Sequence, residues 1–151
     1  MYFQSIVMNV ADLDRSLEFY GQVFGFKLLA RQDQLASIHA PESERPQVIV
    51  LRSLGTSSTR VGGAGHVGMR ALVLECGTLD ELERIAAELD RRHSLVSRRD
   101  GETWTAAFGR DPDRTAVVAG CSLTADQPIS LHAWAQLDEF LYECAIGTSP
   151  G

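Results

Sequence analysis

Residues 11–26 read ADLDRSLEFYGQVFGF. Asp12 is a helix N-cap type of residue, able to accept a backbone N–H of the first turn. Behind it Leu13, Leu17, Tyr20 and Phe24 recur every three or four positions, which predicts one buried helical stripe. Gly25 supplies the stop, because glycine enters the left-handed region at no steric cost. Upstream, the apolar, β-branched run around Ile6–Val10 predicts a strand over 2–10. Downstream, strand-like runs cover 26–31, 35–40 and 47–54, with Pro41 and Pro46 bracketing a loop.

The same order then repeats. Residues 55–65, GTSSTRVGGAG, form a linker rich in Gly, Ser and Thr. A strand over 67–76 leads to Thr78-Leu79-Asp80-Glu81, a capping-box sequence with Thr at the N-cap and Glu three residues on. The helix it opens runs to about Arg92, with Leu79, Leu82, Ile85 and Leu89 as its apolar face. Strand-like runs at 94–99, 103–108 and 115–120 complete the set. Asp12 and Thr78, Leu13 and Leu79, and Asp14 and Asp80 share one offset, so the pattern is an internal duplication. The expected fold is α+β: two tandem βαβββ modules forming a cupped mixed sheet, plus a C-terminal helix. Its parts are a first module over 1–54, a linker over 55–65, a second module over 66–121 and an extension over 122–151. In the extension, Ser130 caps a helix to about Ile146, with Leu131, Trp134, Leu137, Leu141 and Cys144 as its stripe.

Composition narrows the function. The chain has 151 residues, 44% apolar and 23% charged, the balance of a globular domain with a core of its own. Nothing approaches the roughly 20 apolar residues of a membrane span, and the first ten residues lack a signal peptide's basic start. A net charge of −6 argues against a nucleic-acid binder. The one basic cluster, Arg91-Arg92-His93 with Arg98-Arg99, is diluted by Asp90 and Asp100 and reads as a solvated surface. Cys76, Cys121 and Cys144 are widely spaced and make no CxxC pair, so reduced, packed thiols of a cytoplasmic protein are expected.

Two motif-like features fail on context. Residues 63–68, GAGHVG, spell GxGxxG, but a dinucleotide site needs a strand before the turn and a helix after it. Here a polar linker precedes and a strand follows. His39, His66, His93 and His132 are scattered, with no spacing that sets two on one face, so each reads as a surface or hydrogen-bonded residue. His39 differs in lying on a strand expected to border a cleft.

Val10–Tyr20 followed by Val23-Phe24-Gly25-Phe26 resembles the start of the vicinal oxygen chelate superfamily, which holds glyoxalase I, bleomycin-resistance proteins and extradiol dioxygenases. Arg110-Asp111-Pro112-Asp113 resembles that superfamily's DPDGN turn before the last strand, with Arg114-Thr115 where Gly-Asn is usual. The resemblance covers about residues 5–120. It implies a paired βαβββ fold and, in metal-using members, ligands at places that fall here on Ser5, Ala71 and Val118. None of the three is an ordinary ligand for a divalent cation, which takes His, Asp, Glu or thiolate. No metal and no other cofactor is therefore expected.

Strand alternation assigns the cleft face. Ile6, Met8 and Val10 pack under the helix, leaving Ser5, Val7 and Asn9 toward the cleft. Likewise Leu72, Leu74 and Cys76 turn inward, leaving Ala71, Val73 and Glu75, while Ala116, Val118 and Gly120 line it from the last strand. Asn9 and Glu75 should face each other across the pseudo-twofold, and Trp104 and Phe108 should add aromatic walls. The candidate ligand-binding residues are thus Asn9, His39, Glu75, Trp104, Phe108 and Val118. An apolar cup with few polar groups suits an aromatic or polycyclic small molecule. A metal-free cleft in this fold resembles the sequestering, antibiotic-resistance members. Two alternatives stand beside that reading. One is an enzyme: a lyase or dioxygenase with unusual ligands, or a metal-free isomerase using Glu75 as a general base raised by desolvation. The other is an interaction module. A homodimer is expected from the unpartnered tail helix and from the habit of the family.

Overall fold

A computed structural model of the chain describes residues 4–40, 47–57, 69 and 71–123. Two compact units divide it, Met1–Arg60 and Val61–Gly151. The predicted tail helix over 130–146, the 63–68 motif, His66, His132, Cys144 and the loop bracketed by Pro41 and Pro46 all lie outside the described residues.

In the first unit β1 (Ser5–Val10) leads into α1 (Leu13–Phe24), then β2 (Lys27–Gln32), β3 (Leu35–His39) and β4 (Val48–Ser53). The sheet order is β1-β4-β3-β2, with β1 parallel to β4 and the other neighbours antiparallel. As expected, Asp12 caps α1, its Oδ1 accepting the Arg15 N–H at 2.9 Å. Gly25 closes the helix at φ 75°. The helix face is wider than the sequence stripe. Ser16, Phe19 and Val23 are buried with Leu13, Tyr20 and Phe24, whereas Leu17 is only half-buried. Phe19, Tyr20, Phe24 and Phe26 form a ring cluster with centroids 5.3–6.2 Å apart, so the bulkiest residues set the buried face.

The second unit repeats the plan with β5 (Leu72–Glu75), α2 (Leu79–Arg91), β6 (Leu95–Asp100), β7 (Trp104–Arg110) and β8 (Ala116–Ser122). Its order, β5-β8-β7-β6, matches the first, including the single parallel pair. Each outer hairpin carries an irregularity at the same place, between Leu28 and Ala30 and between Leu95 and Ser97. Thr78 Oγ1 caps α2 by accepting the Glu81 N–H at 3.1 Å. The Glu81 carboxylate, however, reaches past the cap residue to the Gly77 N–H at 2.9 Å. Leu79 departs from expectation: as the first residue of the helix it is 47% exposed, and burial begins at Leu82. At the other end His93 sits at φ 56°, and the Ser94 N–H donates to the Leu89 carbonyl at 2.8 Å. That is the left-handed close usually given to glycine.

Helix α2 packs on β7 and β8, and no room remains between them. A Cβ at Gly109 would come within 3.0 Å of both Leu89 Cδ atoms. The basic cluster is held by local carboxylates. Glu88 takes both Arg91 and Arg92, and Glu83 receives Arg98 at 2.6 and 2.7 Å. Among the described residues no helix is long and apolar enough to cross a membrane.

Candidate binding face

Each sheet has one face under its helix and one face free of it, and alternation along the strands sorts the side chains. In the second unit the helix-free face is built in cross-strand rows. One row runs Glu75, Gly120, Ala106 and the next runs Val73, Val118, Phe108. The sequence assignment of Val73, Glu75, Val118 and Gly120 to one face therefore holds. Phe108 and Trp104 join it from β7, each two positions from Ala106 along a period of two.

The rows close into a cluster. Ala106, Phe108 and Val118 are buried together, with Val73 and Trp104 packed against them. Gly120 is what admits Trp104. A Cβ there would lie 2.6 Å from indole Nε1 and Cζ2, so the ring rests directly on the bare backbone of β8. Trp104 and Phe108 thus pack against their own sheet. Glu75 ends β5 as an exposed residue at the margin of the cluster. The desolvated setting expected for a general base is not provided among the described residues.

The first unit's helix-free face is different. By register Asn9, Arg52 and Leu35 form one row, Val7, Val50 and Ser37 the next, and Ser5, Val48 and His39 the third. Asn9 and Glu75 hold equivalent steps beside their parallel partners, as the shared offset predicts. His39 is half-buried, with Nδ1 at 3.1 Å from the neighbouring Ala40 carbonyl oxygen, a local bond that leaves the ring beside Val48. Arg52 was not singled out by the sequence reading. It shares a row with Asn9, and the signal was present in the alternation of Val48-Ile49-Val50-Leu51-Arg52, whose even members point away from the helix.

The positions that the family resemblance implies for a metal do not fit one. Ser5 is exposed and offers a neutral hydroxyl; Ala71 and Val118 offer methyl groups, Val118 fully buried. Divalent cations need anionic or imidazole donors at such places. Among the described residues no three of His, Cys, Asp and Glu gather into a possible cation site.

The turn before β8 shows why its departure from DPDGN is tolerated. Asp111 is buried, and its Oδ1 accepts the N–H groups of Asp113 at 3.0 Å and Thr115 at 2.7 Å. Arg114 adopts φ 67°, the left-handed conformation that glycine would take more cheaply. The two buried thiols belong to the helix side. Burial, reinforced by Glu81 and Cys121, pushes Cys76 up to about 12, and burial also raises Cys121. Neither behaves as an activated nucleophile.

Fold and faces together define a protein of the duplicated βαβββ kind, with a helix on one side of each sheet and a helix-free face on the other. A family model for the glyoxalase/bleomycin resistance protein/dioxygenase superfamily matches residues 2–118, and the chain belongs to that superfamily. It is 28% identical over 123 residues to a lactoylglutathione lyase from Arabidopsis thaliana, covering 74% of this chain and 41% of that protein. Over 125 residues it is 26% identical to a probable lactoylglutathione lyase from Synechocystis sp., covering 75% and 89% of the two chains. The chain therefore spans less than half the length of the Arabidopsis relative. Among solved structures, a glyoxylase/bleomycin resistance protein/dioxygenase domain from Frankia sp. superposes with a TM-score of 0.71 at 20% identity, covering 83% of this chain and 95% of that one. A lactoylglutathione lyase from Agrobacterium tumefaciens gives 0.58 at 19%, with 80% and 92% covered. At these identities the likeness is one of fold.

Proposed function

We propose that this protein binds a small aromatic or polycyclic organic molecule without a metal, in the manner of the sequestering members of its superfamily. One observation carries the reading: the places of the family's metal ligands hold Ser5, Ala71 and Val118, while the second unit's helix-free face is apolar apart from Glu75 and the first unit's carries Val7, Val48, Val50 and Leu35 beside its polar residues. Such a surface holds a flat apolar molecule by burial and offers little to polarise a carbonyl or an oxygen. Antibiotic resistance, a cytoplasmic location and a homodimer are proposed with it. The exposed apolar residues Leu28 and Leu29 on the outermost strand β2 support the dimer, since an apolar sheet edge invites a partner.

A second reading is favoured by the relatives named as lactoylglutathione lyases: a lyase, or a metal-free isomerase using Glu75. The two readings separate in one experiment. Protein stripped with EDTA is titrated with a panel of naphthalene and anthracene derivatives and followed by calorimetry. The same protein, with and without added Zn(II), Ni(II) or Fe(II), is assayed for lactoylglutathione formation. Saturable binding that metal does not alter, with no turnover, is the expected result. A flat titration across the panel, or turnover that appears on metal addition, overturns the proposal. Turnover without metal that Glu75→Gln abolishes assigns the isomerase instead.

A further inference from the structure

The duplication has diverged in one respect that decides where a ligand can sit. In the second unit the step beside Glu75 on β8 is Gly120, and the Trp104 indole lies on it. Val118 and Ala106 beneath are fully buried and Phe108 is 2% exposed, with Val73 and Trp104 packed against them, so this face is closed to solvent. In the first unit the equivalent step, beside Asn9 on β4, is Arg52. Among the described residues no ring corresponds to Trp104 there, because the matching stretch of β3 starts at Leu35, after the turn at Asp33. Val7 is 65% exposed and Leu35 47%, and both Asn9 and Arg52 are exposed. Among the described residues no carboxylate pairs with Arg52, in a chain whose net charge is −6 and in which Arg31 holds Asp14 and Arg91, Arg92 and Arg98 hold glutamates.

A guanidinium with no carboxylate partner among the described residues, in one row with Asn9 and Leu35 and next to exposed Val7, is a site of mixed chemistry. The fork matches a carboxylate, the amide adds a donor, and the valine and leucine surface suits a flat apolar body. We infer that the ligand site lies on the helix-free face of the first unit, and that its occupant is an apolar organic anion whose carboxylate is held by Arg52 with Asn9. The inference rests on the small-molecule reading above and adds to it the place and the charge of the ligand. Charge complementarity carries the choice of an anion over a cation or a neutral molecule.

The test uses the full chain and two probes of one shape, naphthalene-2-carboxylate and the neutral naphthalene-2-methanol, titrated by calorimetry at fixed moderate salt. The carboxylate should bind about tenfold more tightly, the size of one charged hydrogen-bonded contact at a solvent-facing site. Arg52→Gln should remove that preference and leave the alcohol's affinity unchanged, while Arg52→Lys should restore part of it. In NMR spectra the Asn9 side-chain amide should shift on binding and the Trp104 indole N–H should not. Equal affinity for the two probes, a preference that survives Arg52→Gln, or shifts centred on Trp104 would each overturn the inference and leave the small-molecule reading standing. Failure of both probes to bind the wild-type chain would overturn both together.

Discussion

Replacing Gly120 by alanine is the sharpest probe of how the second unit fills its own face. The added Cβ would meet indole Nε1 and Cζ2 at 2.6 Å and Cε2 at 2.7 Å, where ordinary contact begins at 3.4 Å. Three ring atoms are involved at once, so the indole cannot simply tilt and must leave its seat. Its alternatives are toward solvent, losing contact with Val118 and Phe108, or against neighbours that are already packed. Overpacking of this kind costs about 1–3 kcal/mol. Because the three nearest atoms all belong to Trp104, the cost should fall sharply in a Trp104→Ala background, a coupling of similar size with the sign of a relieved clash. Urea unfolding of the wild type, both single variants and the double variant, followed by far-UV circular dichroism, measures it. Emission from Trp104, isolated in a Trp134→Phe background, should move to the red in Gly120→Ala. A cost for Gly120→Ala that is the same with and without Trp104, or an unmoved emission band, would refute the packing described for this face.

Three further outcomes are expected. Arg114→Gly should stabilise the protein by about 0.5–1 kcal/mol in the same unfolding assay, since Arg114 sits at φ 67° and glycine relieves that strain at some entropic cost of its own. Glu88 is held down to about 2 by hydrogen bonds from Arg91 first and Arg92 second, against an ordinary value of 4.5. Its contribution is therefore complete above about pH 4.5 and disappears as pH falls toward 2, so Glu88→Gln should flatten that part of the stability–pH curve, lying slightly below the wild type at neutral pH and meeting it near pH 2. Cys76, pushed up to about 12 by burial, should resist iodoacetamide at pH 8 in the folded protein and react in urea, as read by peptide mass spectrometry.

Much of the architecture was legible because it depends on local chemistry. Asp12, Gly25 and Thr78 announce the ends of the helices, and the shared offset of the two helix starts announces the duplication. The burial of Leu17 and Leu79 was overestimated for a physical reason. A stripe counted from leucines ignores the larger rings of Phe19 and Tyr20, which turn α1 toward the sheet, and Leu79 occupies a first turn that projects beyond it. Alternation placed Val118, Glu75, Asn9 and Phe108 on the helix-free faces correctly. What it could not supply was occupancy. That Trp104 lies on Gly120 follows from the register of β7 against β8, which pairs Ala106 with Gly120 and leaves the indole one step away on the diagonal. The same lack of register hid Arg52, whose significance comes from standing beside Asn9 where the second unit has a glycine.

The central claim is that this member of the superfamily works without a metal, because Ser5, Ala71 and Val118 cannot hold one. Elemental mass spectrometry on untagged protein purified without chelator, and again after incubation with Fe(II), Mn(II), Ni(II) and Zn(II) and removal of excess, tests it directly. The account predicts far less than one equivalent of any metal per chain under both conditions. Near-stoichiometric retention of one of them would contradict it and return the protein to the metal-dependent enzymes of its family.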